Sequence, residues 1–567
     1  MQKQNVSIET LIATAAGRHE PDLVFKNANV LNVFTQEIIR ADVAVTGGRI
    51  AGVGSYTAKN EIDCTGMYLC PGLIDAHCHI ESSMALPAEF SRAVLPSGTT
   101  TLIADPHEIV NVCGSQGMQF MLDAAQHAVC DIYYMLPSCV PATAFETAGA
   151  DFGAEDMKAF LSHPRVLGLG EVMNFPGVLS ADPTMLDKIK LFTHHVIDGH
   201  APGLNGNALQ AYVSAGISSD HEATTFAEAV EKARAGLAVL VRQGSAAQDL
   251  EAILSGVLKE KIPTRHFLFC TDDKHLDDIR RDGHIVQNVR MAIKLGFSPI
   301  KAITMASYNT AEHYGMRDRG AIAAGRRADL LLVSDLDAMR IEAVYCNGVS
   351  ASDLLRSSST AINFPQEILN SVHFKPVITD DIQLLVNTQT DVIGMNPGQI
   401  LTNHLRETIP AEYGVFKPSP EYAKLCVLER HGKNGNISVA PLKGYGIRGG
   451  AVAISVAHDS HNIIAAGDND RDIVLAINHI RDIGGGYVVV QNGSVIGSLP
   501  LKAAGLMSVE PFDRVEKQTE AILAAARLLH ITEGIDPFIS LSFMALPVIP
   551  TLRLTDRGLI DLFLPSA

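Results

Sequence analysis

Leu73-Ile74-Asp75-Ala76-His77-Cys78-His79 closes the apolar run Met67–His79 with a cluster of ligand-type side chains. An apolar run with little polar alternation suits a parallel strand buried on both faces. In extended backbone, residues two apart point the same way, so His77 and His79 can face one metal ion. Such a pair is a weak sign alone, because histidines also sit in ordinary cores and surfaces. Its weight depends on whether later strand ends carry ligand-type residues too.

Seven further strand-like runs come after it: Thr100–Asp105, Asp131–Pro137, Val166–Val172, Val196–His200, Gly216–His221, Ala238–Gln243 and His266–Asp272. The segments between them, such as Phe226–Ala235 and Gln248–Lys261, have helical periodicity. Eight strand–helix units predict an α/β fold of the TIM (β/α)8 barrel type. An open doubly wound sheet is the alternative, but no GxGxxG loop follows the first run. Active sites of such barrels lie at the C-terminal ends of the strands. His77 and His79 end the first run, His200 the fifth, His221 the sixth and Asp272 the eighth. Four histidines and an aspartate at strand ends point to a metal centre, since imidazole and carboxylate are ligands for divalent ions.

The flanks are strand-rich. Asp22–Val33 and Asp42–Gly54, with a hairpin turn at Gly47-Gly48, are echoed by Ala328–Val333 and Val344–Gly348. The expectation is a small composite β domain from residues 1–68 and 320–369, around a metal-binding barrel at 69–319. Residues 370–567 are expected to form a separate C-terminal α/β domain. Its signs are the turn Gly484-Gly485-Gly486, a strand at Tyr487–Val490 and a helix at Thr519–Leu529.

Composition narrows the function. With 45 Lys and Arg against 62 Asp and Glu, the 567-residue chain carries a net charge of −17. That disfavours nucleic acid and anionic membranes as partners and favours a small-molecule substrate. Nine cysteines form no CxxC pair, so neither a zinc ribbon nor a disulfide framework is suggested, and a reducing cytoplasm fits. The N-terminal MQKQNVSIETLIATAAG lacks the long apolar core of a secretory signal. Phe538–Pro550 is too short to span a bilayer and reads as buried strand or turn.

Several strings carry a resemblance. The strand-end pattern, the preceding Pro71-Gly72-Leu73-Ile74-Asp75 and the returning segment Gly320–Leu330 resemble the amidohydrolase superfamily. His79-Ile80-Glu81-Ser82-Ser83-Met84, Asp105-Pro106-His107-Glu108-Ile109, Gly170-Glu171-Val172-Met173-Asn174 and His221-Glu222-Ala223-Thr224 resemble the adenine deaminases within it, as does the C-terminal region. This resemblance implies hydrolysis of adenine to hypoxanthine and ammonia by a cytoplasmic homo-oligomer. It also implies a metal set of His77, His79, Glu171, His200, His221 and Asp272.

Binuclear members commonly bridge their metals with a carbamylated lysine after strand 4. No lysine stands there, but Glu171 does, and Glu108 is a second candidate bridge. Two divalent ions are therefore expected, with Mn2+, Fe2+ and Zn2+ all compatible. Metals acidify a bound water to a hydroxide that attacks C6, and Asp272 shuttles its proton to the departing amino group. Many mononuclear deaminases of the superfamily place a Glu three residues after the strand-5 histidine. Here Gly203 occupies that place, so Glu171 or Glu108, whichever is not the bridge, must protonate N1. Asp105 is a candidate for the imidazole edge of the purine. Glu81, Asp273, His458 and His461 are further candidate substrate contacts, the last two in a polar loop after the apolar run Ala451–Val456. That loop could equally be structural, capping a helix that begins near Asn469. The other zinc-deaminase architecture pairs HxE with PCxxC; His79-Ile80-Glu81 matches the first half, but no PCxxC occurs. A cyclic-amide hydrolase of the dihydroorotase type, or an inactive scaffold, are the competing readings.

Overall fold

A computed structural model of the chain describes residues 6–245, 247–357, 362–386, 388–397, 399, 401–549 and 551–561. Residues 1–5 of the N-terminal segment and Pro550 lie outside the described residues.

All eight expected runs contain barrel strands: Leu73–Cys78, Thr99–Ala104, Asp131–Leu136, Val166–Val172, Val196–Gly199, Ser219–Asp220, Ala238–Arg242 and Phe267–Cys270. The first five pair in parallel in chain order, as do the last three. Two seams close the ring. Between the fifth and sixth strands, Ser218 N–H donates to Ile197 O (2.9 Å). Between the eighth and first, Asp272 N–H donates to His77 O (3.0 Å) and His79 N–H to Asp272 O (3.1 Å). The interior is filled by Ile74, Ile103, Met135, Leu240 and Leu268 against Tyr314, so it is a packed core rather than a pore.

The run Met67–His79 is not one strand. Tyr68–Pro71 pairs antiparallel with Leu330–Asp335, whereas Leu73–Cys78 pairs with Thr99–Ala104. The break falls at Gly72, where a Cβ would run into the Thr100 side chain. Tyr68–Pro71 thus stitches the two flanks into one sheet: Val349–Ser350, Arg340–Cys346, Leu330–Asp335, Tyr68–Pro71, Leu23–Asn32, Glu37–Thr46 and Arg49–Gly54 in order, with Glu61–Asp63 beside Leu23–Asn32.

Past the barrel, an eight-stranded sheet runs from Asn403–Glu407 at one edge to Ser494–Pro500 at the other. Helix Asp470–Ile483 packs Ile473, Ile477 and Ile480 against its strands. The helix expected at Thr519–Leu529 starts earlier, at Phe512, and ends at Arg527. Phe538–Pro550 contains two helical turns, Ile539–Ser542 and Phe543–Ala545, rather than a strand. Among the described residues no helix is long and apolar enough to cross a membrane.

One buried ion pair holds the barrel mouth between the fifth and sixth strands. Lys232, fully buried, donates to Asp220 Oδ2 (2.6 Å) and Glu228 Oε1 (2.9 Å). Asp220 also accepts the N–H groups of Ala201 (2.9 Å) and Glu222 (3.0 Å), which fixes the loops carrying His200 and His221. Burial alone would raise the Asp220 carboxyl, but the Lys232 ammonium holds it below the usual range. Lys232→Met leaves Asp220 buried without its cation and is expected to destabilise the barrel by about 3–5 kcal/mol. Calorimetric melting checks this: the double variant with Asp220→Asn should recover part of the loss, and an unchanged melt for Lys232→Met alone rejects the role.

Candidate active site

The strand ends bring the expected ligands to one buried focus at the barrel mouth. His77 Nε2 and His79 Nε2 lie 3.2 Å apart. His79 Nε2 lies 3.1 Å from Asp272 Oδ1 and 3.4 Å from Glu171 Oε1. Glu171 Oε2 lies 2.7 Å from His200 Nδ1 and 3.1 Å from His221 Nε2. The rings of His77 and His221 stack at 4.1 Å. Candidate ligand groups therefore include His77, His79 and Glu171, then Glu171, His200 and His221, and also His77, His221 and Asp272. Glu171 belongs to two of these, one oxygen toward each histidine pair. Imidazole nitrogens converging on each other and on carboxylates, nearly out of water, are a donor set that fits divalent cations.

The surroundings hold these donors in place. Asp272 takes a left-handed backbone (φ 59°), a conformation Asp tolerates better than most residues. Its Oδ2 accepts from Arg242 Nη1 (3.1 Å), at the end of the seventh strand. Arg242 also binds Glu222 and, through Nε, Asp249 (3.1 Å). Burial would raise the Asp272 carboxyl, but hydrogen bonds from His77 and His79 and the charges of His221 and Arg242 hold it well below the ordinary range. For Glu171, burial is likewise outweighed by hydrogen bonds from His107, His200 and His221. Burial would lower His200, but the charge of Glu222 and then the hydrogen bond to Glu171 push it up to about 9.

Asp105 is fully buried, and its Oδ2 accepts the Glu171 N–H (2.9 Å). Gly170 makes this possible, because a Cβ there would collide with the Asp105 carboxylate. Asp105 thus supports the backbone of Glu171 through Oδ2, while its Oδ1 has no hydrogen-bond partner. Glu108, on the helix His107–Ala124, lies across the His107 ring from Glu171: His107 Nε2 is 3.5 Å from Glu108 Oε1 and Nδ1 is 3.1 Å from Glu171 Oε1. Glu108 Oε1 lies 2.8 Å from His458 Nδ1, and its Oε2 touches His461 Nε2. Burial would raise Glu108, but His458 and His461 pull it well below the ordinary carboxylate range. The helix near Asn469 is capped by Asn469 itself, which accepts from Asp472 N–H (2.9 Å), so capping is not the job of His458 or His461.

Those two histidines instead border a cleft beside the barrel that opens to solvent. Glu81, Glu108, Asp273, His458, His461 and Phe543 are among its lining residues. Glu81 is 4% exposed; its Oε1 accepts from Ile109 N–H (3.3 Å), while Oε2 has no partner. Burial pushes the Glu81 carboxyl up to about 7. Asp273 accepts from the Ser82 hydroxyl.

Three residues at this focus escaped the sequence reading. His107 Nδ1 lies 3.1 Å from Glu171 Oε1, and its ring is edge-on to His79 at 4.6 Å. It sits inside the Asp105–Ile109 string, so a signal was present. Glu222 follows a ligand-type histidine directly, which was also a signal. Arg242 ends a strand-like run in Ala238–Gln243, but a lone arginine at a strand end says nothing without its partners.

Comparison with known proteins agrees with this arrangement. Residues 68–351 match the model of the amidohydrolase family, and residues 399–563 match that of the adenine deaminase C-terminal domain. An adenine deaminase of Desulfitobacterium hafniense is 44% identical over 98% of this chain and 97% of its own length. One of Geobacillus kaustophilus is 45% identical over 98% and 97%, and one of Dehalococcoides mccartyi 46% identical over 98% of both chains. With both domain models matched and full-length relatives at this level, the chain belongs to the adenine deaminase family of amidohydrolases.

Proposed function

We propose that the chain is a metal-dependent adenine aminohydrolase with two divalent ions held in the barrel mouth. The observation that carries this reading is the convergence of His77, His79, Glu171, His200, His221 and Asp272 on one buried focus. Relatives at 44–46% identity bear the name adenine deaminase, which supplies the substrate. Glu171 would be the ligand shared by the two ions, a role supported by its oxygens facing different histidines. Divalent ions held there supply the acidity that makes water nucleophilic near neutral pH. Nine cysteines without a disulfide fit a reducing cytoplasm.

The chain's own groups then have distinct tasks. Asp272 accepts the proton that water gives up on attacking C6 and returns it to the exocyclic nitrogen, which leaves as ammonia. Arg242 orients Asp272, and Asp105 fixes the backbone of Glu171. N1 must gain a proton as C6 becomes tetrahedral. Glu171 is surrounded by imidazoles and Glu108 is taken up by His458 and His461, so Glu81 is the better donor. Its buried, unpartnered oxygen in the cleft wall supports that role. Asp273 and His458 border the same cleft and would contact the base.

The purified protein is expected to release ammonia from adenine without ring opening, in an assay over a panel of purines and cyclic amides. Ring opening without ammonia would instead favour a cyclic-amide hydrolase. Strong chelation should abolish turnover, and about two equivalents of metal per chain in the barrel should restore it. Full activity at one equivalent rejects the bridged pair.

Asp272→Asn is expected to lower kcat by roughly 10²–10⁴-fold with a much smaller change in substrate binding, as befits a transition-state proton shuttle. Steady-state kinetics on variant protein of verified metal content checks this. A metal-replete variant with near-normal kcat rejects the role.

A further inference from the structure

Outside the barrel focus, a second group of ligand-type atoms converges where the two large domains meet. Glu108 comes from the start of helix His107–Ala124, and His458 and His461 from the loop that follows strand Gly450–Ile454. The ligand atoms of all three lie within 4.8 Å of one another. Glu108 and His461 are 2% and 0% exposed, and His458 is partly open to the cleft. Two imidazoles and one carboxylate with one open side are the protein ligands of a common catalytic zinc arrangement.

The loop is built to hold this geometry. His461 N–H donates to Ala457 O (2.7 Å), and His461 O accepts from Arg430 Nε. Arg430 is itself fully buried and donates its remaining groups to Ser371 and to Ala504 O (2.9 Å). Asn462 reaches across to Thr147 O (3.1 Å) on the barrel side. A cluster whose members are locked from behind is preorganised for a ligand. Its charge environment favours a cation as well. The cleft wall presents the carboxylates of Glu108 and Asp273, and among the described residues lining the cleft none is Lys or Arg.

We propose that Glu108, His458 and His461 form a third divalent-cation site, separate from the barrel pair, that clamps the C-terminal domain to the barrel beside the substrate cleft. Water entering from the cleft completes its coordination. Zn2+ is the preferred ion on donor type, with Mn2+ or Fe2+ as alternatives. A cation that binds only the docked arrangement stabilises it by mass action.

The test uses full-length protein stripped of metal, reloaded with Zn2+, gel-filtered and analysed by atomic emission. His458→Gln and His461→Gln, each checked for folding by circular dichroism, should hold one equivalent fewer than the wild type. Their melting temperature should also respond less to added Zn2+. Because the barrel sites contribute equally to all three proteins, the difference stands whether the barrel holds one ion or two. Equal metal content in wild type and folded variants overturns the proposal. If the variants do not fold, zinc anomalous scattering from wild-type crystals decides: a peak among Glu108, His458 and His461 is expected, and barrel peaks without it overturn the site.

Discussion

Two backbone hydrogen bonds, Asp272 N–H to His77 O and His79 N–H to Asp272 O, close the barrel between its last and first strands. They are also what brings a carboxylate from one end of the barrel sequence to the histidine pair at the other. Without that seam His77 and His79 are two imidazoles on one strand, and Asp272 is a loop residue nearly two hundred positions away. Ring closure thus also brings the candidate ligands together, with Asp272 held in a left-handed backbone conformation at the seam.

Around this seam the fold supports several candidate ligands in a consistent form, with a buried partner behind them. Arg242 backs Asp272, Asp105 backs Glu171, and the Lys232–Asp220 pair backs the loops of His200 and His221. Buried ion pairs are poor sources of net stability, because desolvation offsets much of their attraction. Their value here lies in geometry, since ligand positions a fraction of an ångström loose would bind metal poorly. The C-terminal domain is part of this arrangement. It brings His458, His461 and Phe543 to the cleft, so the cleft is lined by both halves of the chain.

Much was legible in linear order. The eight apolar runs were readable because strands of a closed parallel sheet are buried on both faces and are therefore mostly apolar, with their few charged residues, such as Asp220 and Arg242, paired. His77, His79, His200, His221 and Asp272 were readable because barrel sites lie at strand ends, so position along a run carries meaning. The extents of elements were less legible. The split of Met67–His79 at Gly72 depends on which neighbours each half pairs with, and the two helical turns in Phe538–Pro550 depend on packing rather than hydropathy.

The sequence by itself determined the barrel, the composite flanking sheet and the candidate donor residues, because these follow from local periodicity and from residue chemistry at strand ends. Tertiary structure alone decided the pairings: Glu171 between two histidine pairs, Asp105 on the backbone of Glu171, and Arg242 on Asp272. It also decided that Glu108 faces His458 and His461, more than three hundred residues away, and that Glu81 keeps a free oxygen in the cleft. The physical reason is that a carboxylate's role is set by which charges and hydrogens surround it once water is excluded. Those neighbours come from distant segments, so nothing in the local string can specify them.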